Sequence, residues 1–189
     1  ILSLVDDNFH IKTLGTTLDD SAGECFDKIA RKLNLGYPGG PEISKRSELS
    51  NNNKFIFPRP MIKSNDYNFS FSGLKTHVIN TIHKLELTNE HINNISYEVQ
   101  SAIVDTLISK SVEASKNLGI KNIVITGGVS ANQKLRKDFS CIKECKAYFP
   151  DVKFSTDNGA MIAYAGFLKT KSSDFERNFT IKPEPSLTL

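Results

Sequence analysis

The chain has 189 residues, 39% hydrophobic and 24% charged, with a net charge of +3 and three cysteines. These values suit one sizeable domain, or one lobe of a larger protein. They exclude a disulfide framework, no apolar run reaches membrane-spanning length, and the charge alone is too mild to indicate nucleic acid.

Residues 1–14 predict two strands joined at Asp6-Asp7-Asn8. "ILSLV" opens as a strand already in progress, which suggests that the chain lacks its natural N-terminus. Ala22, Phe26, Ile29, Ala30 and Leu33 then fall at helical spacing, with Asp19 or Asp20 as the cap and Gly36 as the stop. "YPGGP" predicts a stiff turn, and residues 45–68 a short helix followed by a long loop. "FSFSG" alternates like a strand and leads into a helix. The longest helical pattern runs from Asn89 to Leu118, with Ile92, Ile95, Val99, Ile103 and Leu107 on one stripe and Gly119 as its end. "KNIVITGGVSANQKLRKDF" reads as a buried strand, a glycine pair and a helix. Residues 152–155 predict a short strand and 157–170 a helix, and the tail from Ser172 is polar. Strands alternating with helices indicate an α/β architecture.

Several stretches could carry chemistry. At "TGGVSAN", glycines 127 and 128 would let backbone approach a ligand at a helix start, and Asn132 could add a bidentate amide contact. A tight strand–helix turn gives the same pattern, and a Walker A lysine is absent. Asp20, Glu24 and Asp27 share one helical face. Two of these acids could simply favour the helix start, but Asp27 lies too deep to cap and suits ribose hydroxyls; a solvated acidic face is the alternative. "FSFSGLKT" could place two hydroxyls and Lys75 near phosphate, or be an ordinary strand end. Lys134, Arg136 and Lys137 form a small basic cluster, with a solvated helix face as the plainer reading. Cys141 and Cys145, four apart, could share a helix face, though without further ligands nearby they read as structural thiols. Asp157, at the mouth of the last helix, is a cap or a ligand, and no histidine pair accompanies it.

In order, "DDSAGECFDKIARKLNLGYPGGP", "FSFSGLKT", "ITGGVSANQKLR" and "STDNGAMIAYAGF" resemble the tRNA threonylcarbamoyladenosine transferase family, formerly called glycoproteases, across most of the chain. The resemblance implies an actin/Hsp70/sugar-kinase-like α/β fold of two lobes around a cleft. On that reading residues 1–156 are the second lobe lacking its first strand, 157–171 a closing helix returning towards an N-terminal lobe missing from this chain, and 172–189 a tail. It implies transfer of the threonylcarbamoyl group from threonylcarbamoyl-AMP to N6 of adenosine 37 in tRNAs that read codons starting with A. The family's adenylate contacts fall on Asp27, Gly40 and Asn132, and its metal-binding aspartate on Asp157. The cofactor implied is one divalent metal ion, iron or zinc, acting as a Lewis acid or orienting the acyl phosphate. The partners implied are tRNA, a catalytically inactive paralogous subunit and a small ATPase, with no membrane, in the cytoplasm or a eukaryotic organelle.

The family's H-x-x-x-H metal pair and its "SGGHT" phosphate segment lie upstream of everything matched. The chain alone is therefore expected to be inactive. A non-catalytic partner module of the same fold is the competing reading, although a platform would not need Asp27, Asn132 and Asp157 together. A metallopeptidase is the third, and lacks any zinc-peptidase motif.

Overall fold

The computed structural model describes residues 1–50 and 54–170. Its elements are β1 (Leu2–Val5), β2 (Ile11–Gly15), α1 (Ala22–Lys32), α2 (Gly39–Glu48), α3 (Ser72–Ile82), α4 (Asn89–Leu118), β3 (Asn122–Val124), α5 (Gln133–Ser140), β4 (Lys146–Tyr148) and α6 (Gly159–Lys169). β1 and β2 pair antiparallel across the predicted turn. There Asp6 Oδ1 accepts from the Asn8 and His10 amides at 2.9 and 2.8 Å, an aspartate side chain imitating a backbone turn. β3 and β4 pair parallel, with α5 between them in sequence. The architecture is mixed α/β, with its strands in two separate pairs.

The core lies where α1, α2 and α3 pack on α4. Phe26, Ile29, Ile43, Leu74, Val99 and Ile103 are among its fully enclosed side chains. The predicted stripe of α4 is present: Ile95, Val99 and Ile103 are buried, and Ile92 and Leu107 pack at the rim. Val104, one position on, faces the other way and joins Leu135 and Phe139 in a second cluster beneath β3 and α5. A helix that serves two clusters is buried nearly all round, so α4 also takes polar residues inside. It begins with a Thr88 cap and ends at Gly119, whose φ of 68° closes the helix left-handed.

Local details depart from expectation. α1 is capped by Ser21, in a reciprocal box with Glu24, and not by Asp19 or Asp20, which have other partners. The helix stops at Lys32, and Asn34 (φ 55°), not Gly36, takes the left-handed position. "YPGGP" is a turn only as far as Pro38, and α2 starts at Gly39. "FSFSG" contributes a single bridge, Phe69 to Thr17, before α3 begins at Ser72. The predicted strand at 152–155 is a 3-10 turn over Val152–Phe154, and the strand lies earlier, at β4. β3 is not a buried strand: Val124 is 72% exposed. Cys141 and Cys145 do not share a helix face, because α5 ends between Ser140 and Cys141.

Two features concern what lies outside these contacts. A cavity of about 240 Å³ is lined by Leu2 of β1 and its neighbour Ile1 and by Ile123 and Val124 of β3 and their neighbour Ile125. On α6, Met161, Ile162, Tyr164 and Phe167 are all exposed. Among the described residues no helix is long and apolar enough to cross a membrane. The predicted tail, 172–189, lies outside the described residues.

Candidate functional site

Asp27 does reach a helix start, but that of another helix. α2 has Pro38 at its cap position and no side-chain cap of its own. Asp27 Oδ1 fills that role from α1, accepting from the Gly39 amide at 2.7 Å, and places negative charge at the helix's positive end. Among the described residues Oδ2 has no hydrogen-bond partner. The approach of the two helices requires glycine at 39: a Cβ there would sit 2.6 Å from Asp27 Cα and 2.7 Å from Ala30 Cβ. At Gly40 a Cβ would meet nothing within 4 Å, so this glycine faces open space beside Asp27.

One turn further along α2, Ser44 joins this corner to the glycine loop. Gly127 takes φ 84°, which glycine adopts freely, and a 3-10 turn over Gly128–Ala131 delivers Asn132 to the start of α5. Asn132 Oδ1 caps that helix by accepting from Leu135 N at 3.0 Å. Its Nδ2 donates to Ser44 Oγ (3.0 Å) and to Gln100 Oε1 (2.8 Å). A bidentate contact from Asn132 to a ligand is therefore not available, because both amide hydrogens are already taken. Asp27, Gly40 and Asn132 are thus brought together through Gly39 and Ser44, although Asn132 is far from the other two in sequence.

The other acidic residues organise the neighbouring surface. Asp19 gathers the "FSFS" segment, accepting from Ser70 Oγ (2.5 Å), Ser72 Oγ (2.6 Å) and the amides of Phe71 (2.7 Å) and Ser72 (3.1 Å). Burial pushes its carboxyl up, but these hydrogen bonds outweigh it and lower the pKa to about 2. Both serine hydroxyls are therefore tied to a carboxylate, and are not poised for phosphate. Asp20 bridges Lys28 (2.5 Å) and Lys75 (2.6 Å), which hold its carboxyl below the usual range. Lys75 is thereby committed as well. Cys25 is enclosed beside them, and burial pushes its thiol up to about 12, so it is an inert packing group.

The basic cluster on α5 does not form a cationic face. Lys134 pairs with Asp138 at 2.7 Å. Arg136 turns inward over the Phe149 ring, donating to Ser130 O and Pro150 O at 2.7 Å each. It also donates to Ser155 Oγ at 3.4 Å, tying the glycine loop to the segment that leads to Asp157. Asp157 itself is exposed, and the cap of α6 is its neighbour Asn158, which accepts from Met161 N at 3.0 Å. Among the described residues no group of three histidine, cysteine or acidic side chains is placed to hold a metal ion. One carboxylate is one ligand where a divalent ion takes four or more, so the described residues do not by themselves make a metal site.

Gln100, Ser44 and Arg136 hold this site in place, and the sequence pattern did not single them out in that role. The one signal was the polar run from Asn93 to Ser101 inside the longest helix, where buried polar groups must find partners.

Comparison with known proteins covers nearly the whole chain. The family model TsaD, tRNA N6-adenosine threonylcarbamoyltransferase, matches residues 2–164. A protein of that name from Thermosipho africanus is 46% identical over 189 residues, covering 98% of this chain and 57% of the relative. Others of that name, from Fervidobacterium nodosum and Ralstonia pickettii, are 42% and 44% identical over 96% and 84% of this chain, covering 56% and 48% of their own length. The chain therefore spans about half the length of the curated relatives it matches. It belongs to the tRNA N6-adenosine threonylcarbamoyltransferase family.

Proposed function

We propose that this chain is the C-terminal part of an enzyme that transfers the threonylcarbamoyl group from threonylcarbamoyl-AMP to N6 of adenosine 37 in tRNAs reading ANN codons. In that reading it supplies the adenylate side of the site. The observation that carries the proposal is the hydrogen-bonded corner joining Asp27, Gly39, Ser44 and Asn132. Asp27 Oδ2 accepts from ribose hydroxyls, and the open face at Gly40 lets the nucleotide lie against backbone. Holding the adenylate, which is the leaving group, fixes the acyl carbon for attack by the tRNA amine, and proximity supplies much of the rate.

Asp157 is proposed as one ligand of a divalent metal whose remaining ligands come from outside this chain. Residues 1–156 are proposed as the second lobe of an actin-like fold lacking its first strand. A strand laid in the cavity between β1 and β3 would join the two pairs into one sheet and bring a partner to the buried Ser130 hydroxyl, which has none among the described residues. α6 is proposed as the closing helix, covered by the first lobe. An inactive paralogous subunit and a small ATPase are the proposed protein partners.

The test is transfer to unmodified tRNA from threonylcarbamoyl-AMP, read as modified nucleoside by mass spectrometry. The full-length protein is expected to form product and residues 1–189 alone none. Absence of product with the full-length protein and its partner subunits would remove the transferase reading. Turnover by residues 1–189 alone would remove the requirement for an upstream lobe.

A further inference from the structure

The chain of hydrogen bonds through Asn132 has a fixed direction. Leu135 N–H can only donate, and it donates to Asn132 Oδ1. The amide nitrogen must then face Gln100 and Ser44, which take its two hydrogens. Gln100 cannot reverse, since its Oε1 also accepts from Ser44 Oγ (2.7 Å) and its Nε2 donates to Ser47 Oγ (2.8 Å). Ser47 passes its own hydrogen to Ser44 O (2.7 Å), a carbonyl that only accepts. Both ends of the chain are backbone groups of fixed sign. Gln100 and Ser47 are each 5% exposed, so water competes little for these bonds.

We infer that Gln100 is a positioning residue that makes Asn132 an acceptor only. The remaining hydrogen-bonding position on the Asn132 side chain is the second lone pair of Oδ1. Towards an adenylate it takes a hydrogen from a donor group, a ribose hydroxyl or the 6-amino group, and it does not bind phosphate oxygens, which have no hydrogen to give. This inference rests on the adenylate reading above.

The test is calorimetric binding to the full-length protein of AMP, 2′-deoxy-AMP, 3′-deoxy-AMP and purine riboside monophosphate, which lacks the 6-amino group. The wild type is expected to bind at least one of these analogues about tenfold more weakly than AMP, the value of one lost hydrogen bond. Because Asp27 also takes ribose hydroxyls on this reading, the donor that Asn132 reads is identified by the analogue whose disadvantage shrinks when Gln100 is replaced. Gln100→Met removes one of the two acceptors of the Asn132 amide, leaving Leu135 N–H and Ser44 to hold it, and is expected to reduce that discrimination. Gln100→Glu keeps an oxygen facing Asn132 and is expected to retain it, although both variants lose the bond to Ser47. Should Gln100→Met not fold, Ser44→Ala removes the other acceptor and is expected to reduce the same ratio. Unchanged ratios in Gln100→Met, or equal binding of all four nucleotides by the wild type, would overturn the inference. A wild-type protein that binds no AMP would instead bring down the adenylate reading, and this inference with it.

Discussion

Gly39 and Gly40 are neighbours, yet a methyl group does opposite things at the two positions. At 39 it would collide with Asp27 Cα, Ala30 Cβ and Phe26 O, all within 2.8 Å. Gly39→Ala is expected to cost about 1–3 kcal/mol, the usual range for overpacking, as a lower midpoint in urea unfolding. At 40 the methyl meets no protein atom and alanine suits a helix better than glycine, so Gly40→Ala should leave that midpoint unchanged or slightly higher while weakening AMP binding to the full-length protein. Loss of stability at 40 would mean that the space is not open. Asp19 offers a test of another kind. Its carboxyl is lowered from an ordinary 3.8 to about 2, so the folded state favours the ionised form. Its contribution is present above about pH 4 and lost as pH falls through about 2. Asp19→Asn should therefore melt several degrees below wild type at pH 7, with the gap closing between pH 4 and pH 2. A gap that persists at pH 2 would show that charge is not its source.

Among the elements, α4 carries most of the organisation, and Lys110 shows how it holds a loop. The Lys110 side chain is fully buried, and Nζ donates to Ser64 Oγ (2.6 Å), Asp66 O (2.6 Å) and Ser64 O (3.1 Å). Lys110→Met would leave carbonyls unpaired inside, at about 1–3 kcal/mol. Amide exchange should quicken in residues 61–68 before the core of α4 is affected; equal exchange in both variants would count against this clamp. The extent of α4 was legible in the sequence, because thirty residues keep one helical period between a threonine cap and a glycine stop. "FSFSG" was not, since Phe69 and Phe71 are both buried and alternation could not show that the backbone turns into a helix at Ser72. β3 misled for a related reason: an apolar run gives composition, and burial depends on what lies beside it. At the site, Asp27 stood out because it lies too deep in α1 for capping that helix. Gln100 did not, because its partners Ser44 and Asn132 lie 56 and 32 residues away.

For the whole molecule, the edges of β1 and β3 that have no strand beside them among the described residues and the exposed apolar side chains of α6 act together. Ile162 is 65% exposed and Ile1 75%, beyond what isolated surface residues explain. Residues 1–189 alone should self-associate as concentration rises, because open strand edges and apolar surface recruit further copies. Sedimentation velocity tests this, and a single monomer across a hundredfold range of concentration would refute it. The enclosure of Lys110 has a different consequence. Acylating reagents reach surface amines, and this amine sits where none can enter. It can react only when residues 61–68 lift from α4. In a time course of acetylation, its modification would mark the moments when the fold opens, while surface lysines record only the dose of reagent.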